Sequence, residues 1–167
     1  VDEFICTCDQ SYCIKADFQG PYKIFTESTP IKELLYVSPM QLLEGGSVFL
    51  SPHFVDVLID MRKYSSLTDS SIVFHVAQQP RYGQLLQFSA EKGGFVVCRN
   101  FNMLDLQTDK VKYVHNGAEN FNDHATLDMQ VYGDIHKLPD NILGKHRFLL
   151  HANVSAINDP PQLQIPN

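Results

Sequence analysis

No run of about 18 apolar residues occurs anywhere in the chain, so no segment is long enough to cross a bilayer as a helix, and membrane insertion by this fragment is not expected. Basic residues are scarce as well: 13 Lys and Arg stand against 19 Asp and Glu in 167 residues, a formal net charge of −6. Such a balance leaves no broad basic face to neutralise phosphates, which disfavours nucleic acid as a partner. No G-x-S-x-G frames a nucleophile. The seven histidines (His53, His75, His115, His124, His136, His146 and His151) form no i, i+4 helical pair and have no carboxylate at metal-site spacing. Neither catalysis nor a bound cofactor is expected. A positive n-region followed by an apolar h-region is also missing from Val1-Asp2-Glu3-Phe4, and the chain reads as a piece of a longer protein.

What is present is 44% hydrophobic residues, enough for a packed core. Period-two alternation recurs in short runs about ten to fifteen residues apart, bounded by Gly, Pro, Asn and Asp, and the chain reads as all-β. The expected strands are Ser47 to Leu50, Ser71 to Ala77, Gln84 to Ser89, Phe95 to Phe101, Lys110 to His115, Ala125 to Tyr132 and His146 to Ile157. Seven strands of this kind suggest a sandwich. In the sixth, Ala125, Leu127, Met129 and Val131 share one face and Thr126, Asp128 and Gln130 the other, so one side is buried and the other wet. Asn116-Gly117 and Pro80-Arg81-Tyr82-Gly83 mark turns, and residues 133–145 read as an exposed loop before the last strand. The segment Phe54 to Asp60 has no clear period and fits either a strand or a short helix.

Cys6, Cys8, Cys13 and Cys98 form an even set suited to disulfides, and the spacing lacks the paired C-x2-4-C of a zinc site. A bridge from Cys98 to the N-terminal cluster would close the longest loop and stabilise most, though spacing leaves all three connectivities open. Asn153-Val154-Ser155 is a sequon, placed by alternation on the outward face, so Asn153 is the candidate for N-glycosylation. Bridges and glycan together favour an extracellular location.

Residues 1–40 differ in character and read as a cysteine-containing extension or the tail of a preceding module. Residues 41–161 form the main domain and 162–167 a linker or the start of the next. Polar His115-Asn116-Gly117-Ala118-Glu119 reads first as a turn, with Glu119, Asn122 and Asp123 satisfying backbone donors in the loop that follows. Glu44, Asp60 and Asp159 are the carboxylates that would gather at one pole if a hard cation bound there.

Five motifs occur in a definite order: Leu43-Glu44-Gly45-Gly46-Ser47, Ile72-Val73-Phe74-His75-Val76, Pro80-Arg81-Tyr82-Gly83-Gln84-Leu85, Val111-Lys112-Tyr113-Val114-His115-Asn116-Gly117-Ala118-Glu119 and Asn158-Asp159-Pro160. In that order they resemble the CSPG repeat, the tandem module of NG2-type chondroitin sulfate proteoglycans and the Fras and Frem matrix proteins. The Phe101-Asn102-Met103-Leu104-Asp105 run and the double proline look closest to an early repeat of an NG2-like protein. The resemblance implies a cadherin-like β-sandwich in a string of similar modules, part of a secreted or single-pass cell-surface protein. It implies binding and adhesion rather than catalysis, with matrix or soluble extracellular proteins and neighbouring repeats as partners. An architectural spacer repeat of the Fras/Frem kind, with inter-repeat calcium, is the alternative. Two departures bear on this: Asp60-Met61-Arg62-Lys63-Tyr64 replaces the family's acidic D-x-D, and no Ser-Gly dipeptide is present to carry a glycosaminoglycan.

Overall fold

The computed structural model describes residues 31–157 and, in backbone only, two short strands before them, β1 (Phe4–Cys6) and β2 (Cys13–Lys15), which pair antiparallel. The described body begins with a helical turn, α1 (Ile31–Leu34), which runs into β3 (Leu35–Val37). The strands β4 (Met40–Leu43), β5 (Ser47–Phe49), β6 (Val55–Val57), β7 (Ile72–Gln78) and β8 (Gly83–Ser89) follow. The chain continues through β9 (Gly94–Val97), β10 (Asn100–Asn102), a short helix α2 (Met103–Gln107), β11 (Val111–His115), β12 (Asn122–Val131) and β13 (Lys145–Ser155).

Alternation along these strands needs two partners for its apolar faces, and the chain supplies them as two sheets. One has the order β10-β7-β12-β13-β4 and the other β5-β11-β8-β9. Inward residues from both, among them Phe74, Leu85, Tyr113, Leu127, Met129 and Leu150, have essentially no exposure. Each large apolar side chain so buried contributes about 1.5–3 kcal/mol. Phe74 anchors the packing, stacked on Phe101 at 5.2 Å and met edge-on by Phe148 at 6.0 Å. The expected all-β sandwich is the observed one.

The run expected as one strand from Phe95 to Phe101 is two strands in different sheets. The chain crosses at Cys98, whose N–H donates to Leu85 O in one sheet, while Arg99 O accepts from Val76 N in the other. Phe54 to Asp60 resolves as β6, paired with β3. Residues 133–144 are not wholly exposed, since Leu138 and Ile142 are buried. Leu34, Leu35 and Met40 also join the core, so the body starts ahead of residue 41. Helix α2 begins with a capping box, Asn102 accepting from Asp105 N at 2.9 Å and Asp105 from Asn102 N at 3.0 Å.

Strand β4 pairs parallel with β13, Met40 opposite Ala152 and Leu43 opposite Ser155. Two edge-adjacent strands that run the same way bring the chain into the sheet at one pole and out of it at the other.

Candidate functional site

Three turns and strand ends meet at one pole and are held there by two buried polar side chains. Asp123 sits near the start of β12, only 4% exposed. Its carboxylate accepts from Arg81 N and Tyr82 N, both at 3.0 Å, from the Tyr113 hydroxyl at 2.7 Å and from His124 N at 2.9 Å. A buried carboxylate is costly unless donors replace water, and here four do. The charge and the burial act together on Tyr113: desolvation first, then the Asp123 carboxylate, hold its phenol well above the ordinary range. Glycine at 83 lets this happen, because a Cβ there would lie 2.7 Å from the Tyr113 ring and 2.5 Å from Val114 O.

His115, 3% exposed, closes the second turn. Its Nδ1 accepts from Gly45 N at 2.9 Å and Gly117 N at 3.1 Å. Two N–H groups aimed at Nδ1 require a bare nitrogen there, so Nε2 carries the proton and donates to Asn120 Oδ1 at 2.7 Å. Gly117 adopts φ +87°, a conformation that glycine takes without strain. Asn116 Oδ1 accepts from Ala118 N at 2.8 Å and finishes the turn.

Between these fixed turns lies an open cleft of about 510 Å³, lined by Gln79, Arg81, Gln84, Leu86, Val114 and Asn116. Gln79 is itself clamped, donating to Cys98 O at 2.8 Å and accepting from Leu85 N at 2.9 Å. The exposed Arg81 guanidinium rests 5.4 Å from the Tyr82 ring centroid. The result is a polar rim of an amide, a guanidinium and backbone groups around a small apolar floor. Its lining contains no Ser, Thr, Cys, Asp or Glu.

The residues singled out from sequence fall in separate places. Asp123 does satisfy backbone donors, but mainly those of Arg81 and Tyr82 some forty residues earlier rather than of its own loop. Glu44 accepts from Ile157 N at 3.1 Å and lines a second cavity of about 260 Å³ with Glu119, Asn120 and Phe121. Asp60 instead caps the turn Met61–Lys63 and pairs with Arg62 at 3.1 Å, which holds its carboxyl below the usual range. Asp159 lies outside the described residues. Among the described residues no group of three or more His, Cys, Asp or Glu is placed to hold a metal ion.

Cys98 corrects the expected bridge. It is a free thiol, 1% exposed, at the crossover between the sheets. Burial, then the Asp105 charge, push it up to about 12. Cys6 and Cys13 are Cα partners in the register of β1 and β2, while Cys8 lies outside the described residues. Asn153 stands half-buried on the outer face of β13, between Asn122 of β12 and Gln41 of β4. Sequence reading missed one pairing altogether: His124 and His151 are cross-strand partners, both exposed, with ring centroids 5.7 Å apart. Only the β12–β13 register reveals it.

Over 135 residues the chain is 27% identical to human chondroitin sulfate proteoglycan 4 and 28% identical to the rat and mouse proteins of that name. The match covers 81% of this chain but 6% of each relative, so the chain spans a small part of their length. Residues 35–143, well over half of the chain and containing both turns and the cleft, match the cadherin-like family, and the chain belongs to it.

Proposed function

We propose that the chain is a non-catalytic, extracellular protein-binding module of a multi-repeat cell-surface or matrix proteoglycan, engaging matrix or soluble protein ligands through the cleft beside Arg81. The observation that carries this reading is the cleft's rigid polar rim. Asp123 and His115 hold both turns, so Arg81, Gln84 and Asn116 present themselves at low entropic cost to a partner. Kinship with chondroitin sulfate proteoglycan 4 supports the location outside the cell. In that setting Asn153 carries an N-glycan and two of Cys6, Cys8 and Cys13 form a disulfide.

The test is a binding panel of matrix and soluble extracellular proteins against the fragment secreted from animal cells, beside Arg81→Glu and Gln84→Ala. Expected is at least one partner whose Kd rises by about tenfold or more in the variants, with thermal unfolding unchanged. Binding indifferent to both substitutions rejects the cleft, and no binding across the panel rejects the module reading.

The second reading, an architectural spacer repeat, is favoured by the parallel β4–β13 pair, which places entry and exit at opposite poles as a module threaded in line requires. If inter-repeat calcium contributes, millimolar calcium raises the melting temperature by mass action.

A further inference from the structure

The two outer faces of the sandwich differ in kind. On the five-stranded sheet the face is largely polar and its groups are engaged with one another: Arg147 grips Asp128 at 2.9 and 3.0 Å, and the Tyr132 hydroxyl lies 3.1 Å from both His75 Nε2 and Gln130 Oε1. On the four-stranded sheet the outward positions of β5, β8 and β9 carry Phe49, Phe88, Phe95 and Val97, with Leu86 between them. Phe49, Phe88 and Val97 are each 43–49% exposed. Phe88 and Phe95 meet edge-on at 5.7 Å, and Phe49 leans toward Phe95 at 6.2 Å. A contiguous aromatic patch of this kind marks a surface that something covers.

The one charge in this patch says what sort of occupant fits. Lys112 Nζ is held 4.1 Å from the Phe95 centroid and 5.9 Å from that of Phe49, and no carboxylate pairs with it among the described residues. An occupant must be apolar and acidic. A second copy placed face to face about a two-fold axis would set Lys112 against Lys112, between chains that each carry −6. Residues 1–30 meet the requirement. They contain three phenylalanines, two tyrosines and three isoleucines, and five acidic residues against Lys15 and Lys23, for a net charge of 2 − 5 = −3. Tethered at Ile31, such a segment can reach up to about 100 Å and meets the patch at millimolar effective concentration.

We infer that the outer face of the four-stranded sheet is the seat of residues 1–30 of the same chain, whose aromatic side chains cover Phe49, Phe88 and Phe95 and whose carboxylates answer Lys112. This seat is separate from the cleft and stands whether or not the cleft binds a partner. The extension is then part of the module, and its face is withheld from other proteins.

Trypsin sites at Lys15 and Lys23 make the inference testable in the intact 167-residue chain. Expected is slow cleavage at both, accelerated by about tenfold or more in Phe88→Ser and in Lys112→Glu while thermal unfolding holds. Lys112→Glu leaves the aromatic residues in place and serves if Phe88→Ser disturbs the fold. In parallel, carbodiimide is expected to couple Lys112 to a carboxylate of residues 1–30 within one chain, read by mass spectrometry. Equal cleavage rates in all three proteins overturn the inference. So does coupling of Lys112 only between chains, or a concentration-dependent dimer that the same substitutions dissolve, which assigns the face to a second copy.

Discussion

A single imidazole holds the second turn, and its role follows from which nitrogen is bare. With His115 Nδ1 accepting from Gly45 N and Gly117 N, replacement by leucine removes the acceptor of two turn N–H groups at once. His115→Leu should lower stability by about 1–3 kcal/mol. His115→Asn, which keeps an acceptor near the Nδ1 position, should recover part of that, as urea denaturation of the three proteins would show. The histidine and its glycine were legible in the sequence as a turn. The second glycine, at position 45, was not, because 70 residues separate it from its acceptor and only the folded chain brings them together.

At the level of strands, β12 and β13 are joined across their outer face by Asp128 and Arg147, whose bidentate contact holds the Asp128 carboxyl below the usual range. A depressed carboxyl contributes stability above its unfolded pKa, near 4, and loses it as pH falls through the lower folded value. Arg147 is 65% exposed at its side chain, so solvent screening keeps the contribution of the pair small. Arg147→Gln should therefore lower stability at pH 7, and the difference from the parent should shrink below about pH 4, where acid protonates Asp128. A gap that stays constant from pH 7 to pH 3 would exclude the pair as its source. Alternation had placed Asp128 on the outward face, expected to be wet, yet Thr126 and Asp128 are both buried there; that Arg147 lies opposite is a matter of register, which the spacing within either strand does not encode.

For the molecule as a whole, the Cys98 thiol reports on global opening. It lies where the chain passes from one sheet to the other, buried and shifted to about 12, so at neutral pH it is neither accessible nor ionised. In peptide-resolved alkylation Cys98 should stay unlabelled in the native protein and react with the same denaturant dependence as global unfolding. Prompt labelling under native conditions would contradict its place between the sheets. Its even-numbered company with Cys6, Cys8 and Cys13 suggested a bridge, since a count of cysteines carries no information about depth. The split of the run from Phe95 to Phe101 escaped notice for a related reason, because a strand that changes sheets keeps its apolar pattern while its partners change.

What the order of residues determined by itself was the class of fold, the inward and outward set along each long strand, the glycine-bearing turns and the kinship they signal. These depend on period two and on backbone conformations that few residues tolerate, both of which are local. Tertiary structure alone decided that Asp123 ties down Arg81 and Tyr82, that His124 meets His151, that Cys98 stays free, and that one outer face is aromatic around a single lysine. Each of those is a meeting of residues far apart in the chain, fixed by sheet order and register, and neither is written in any one segment.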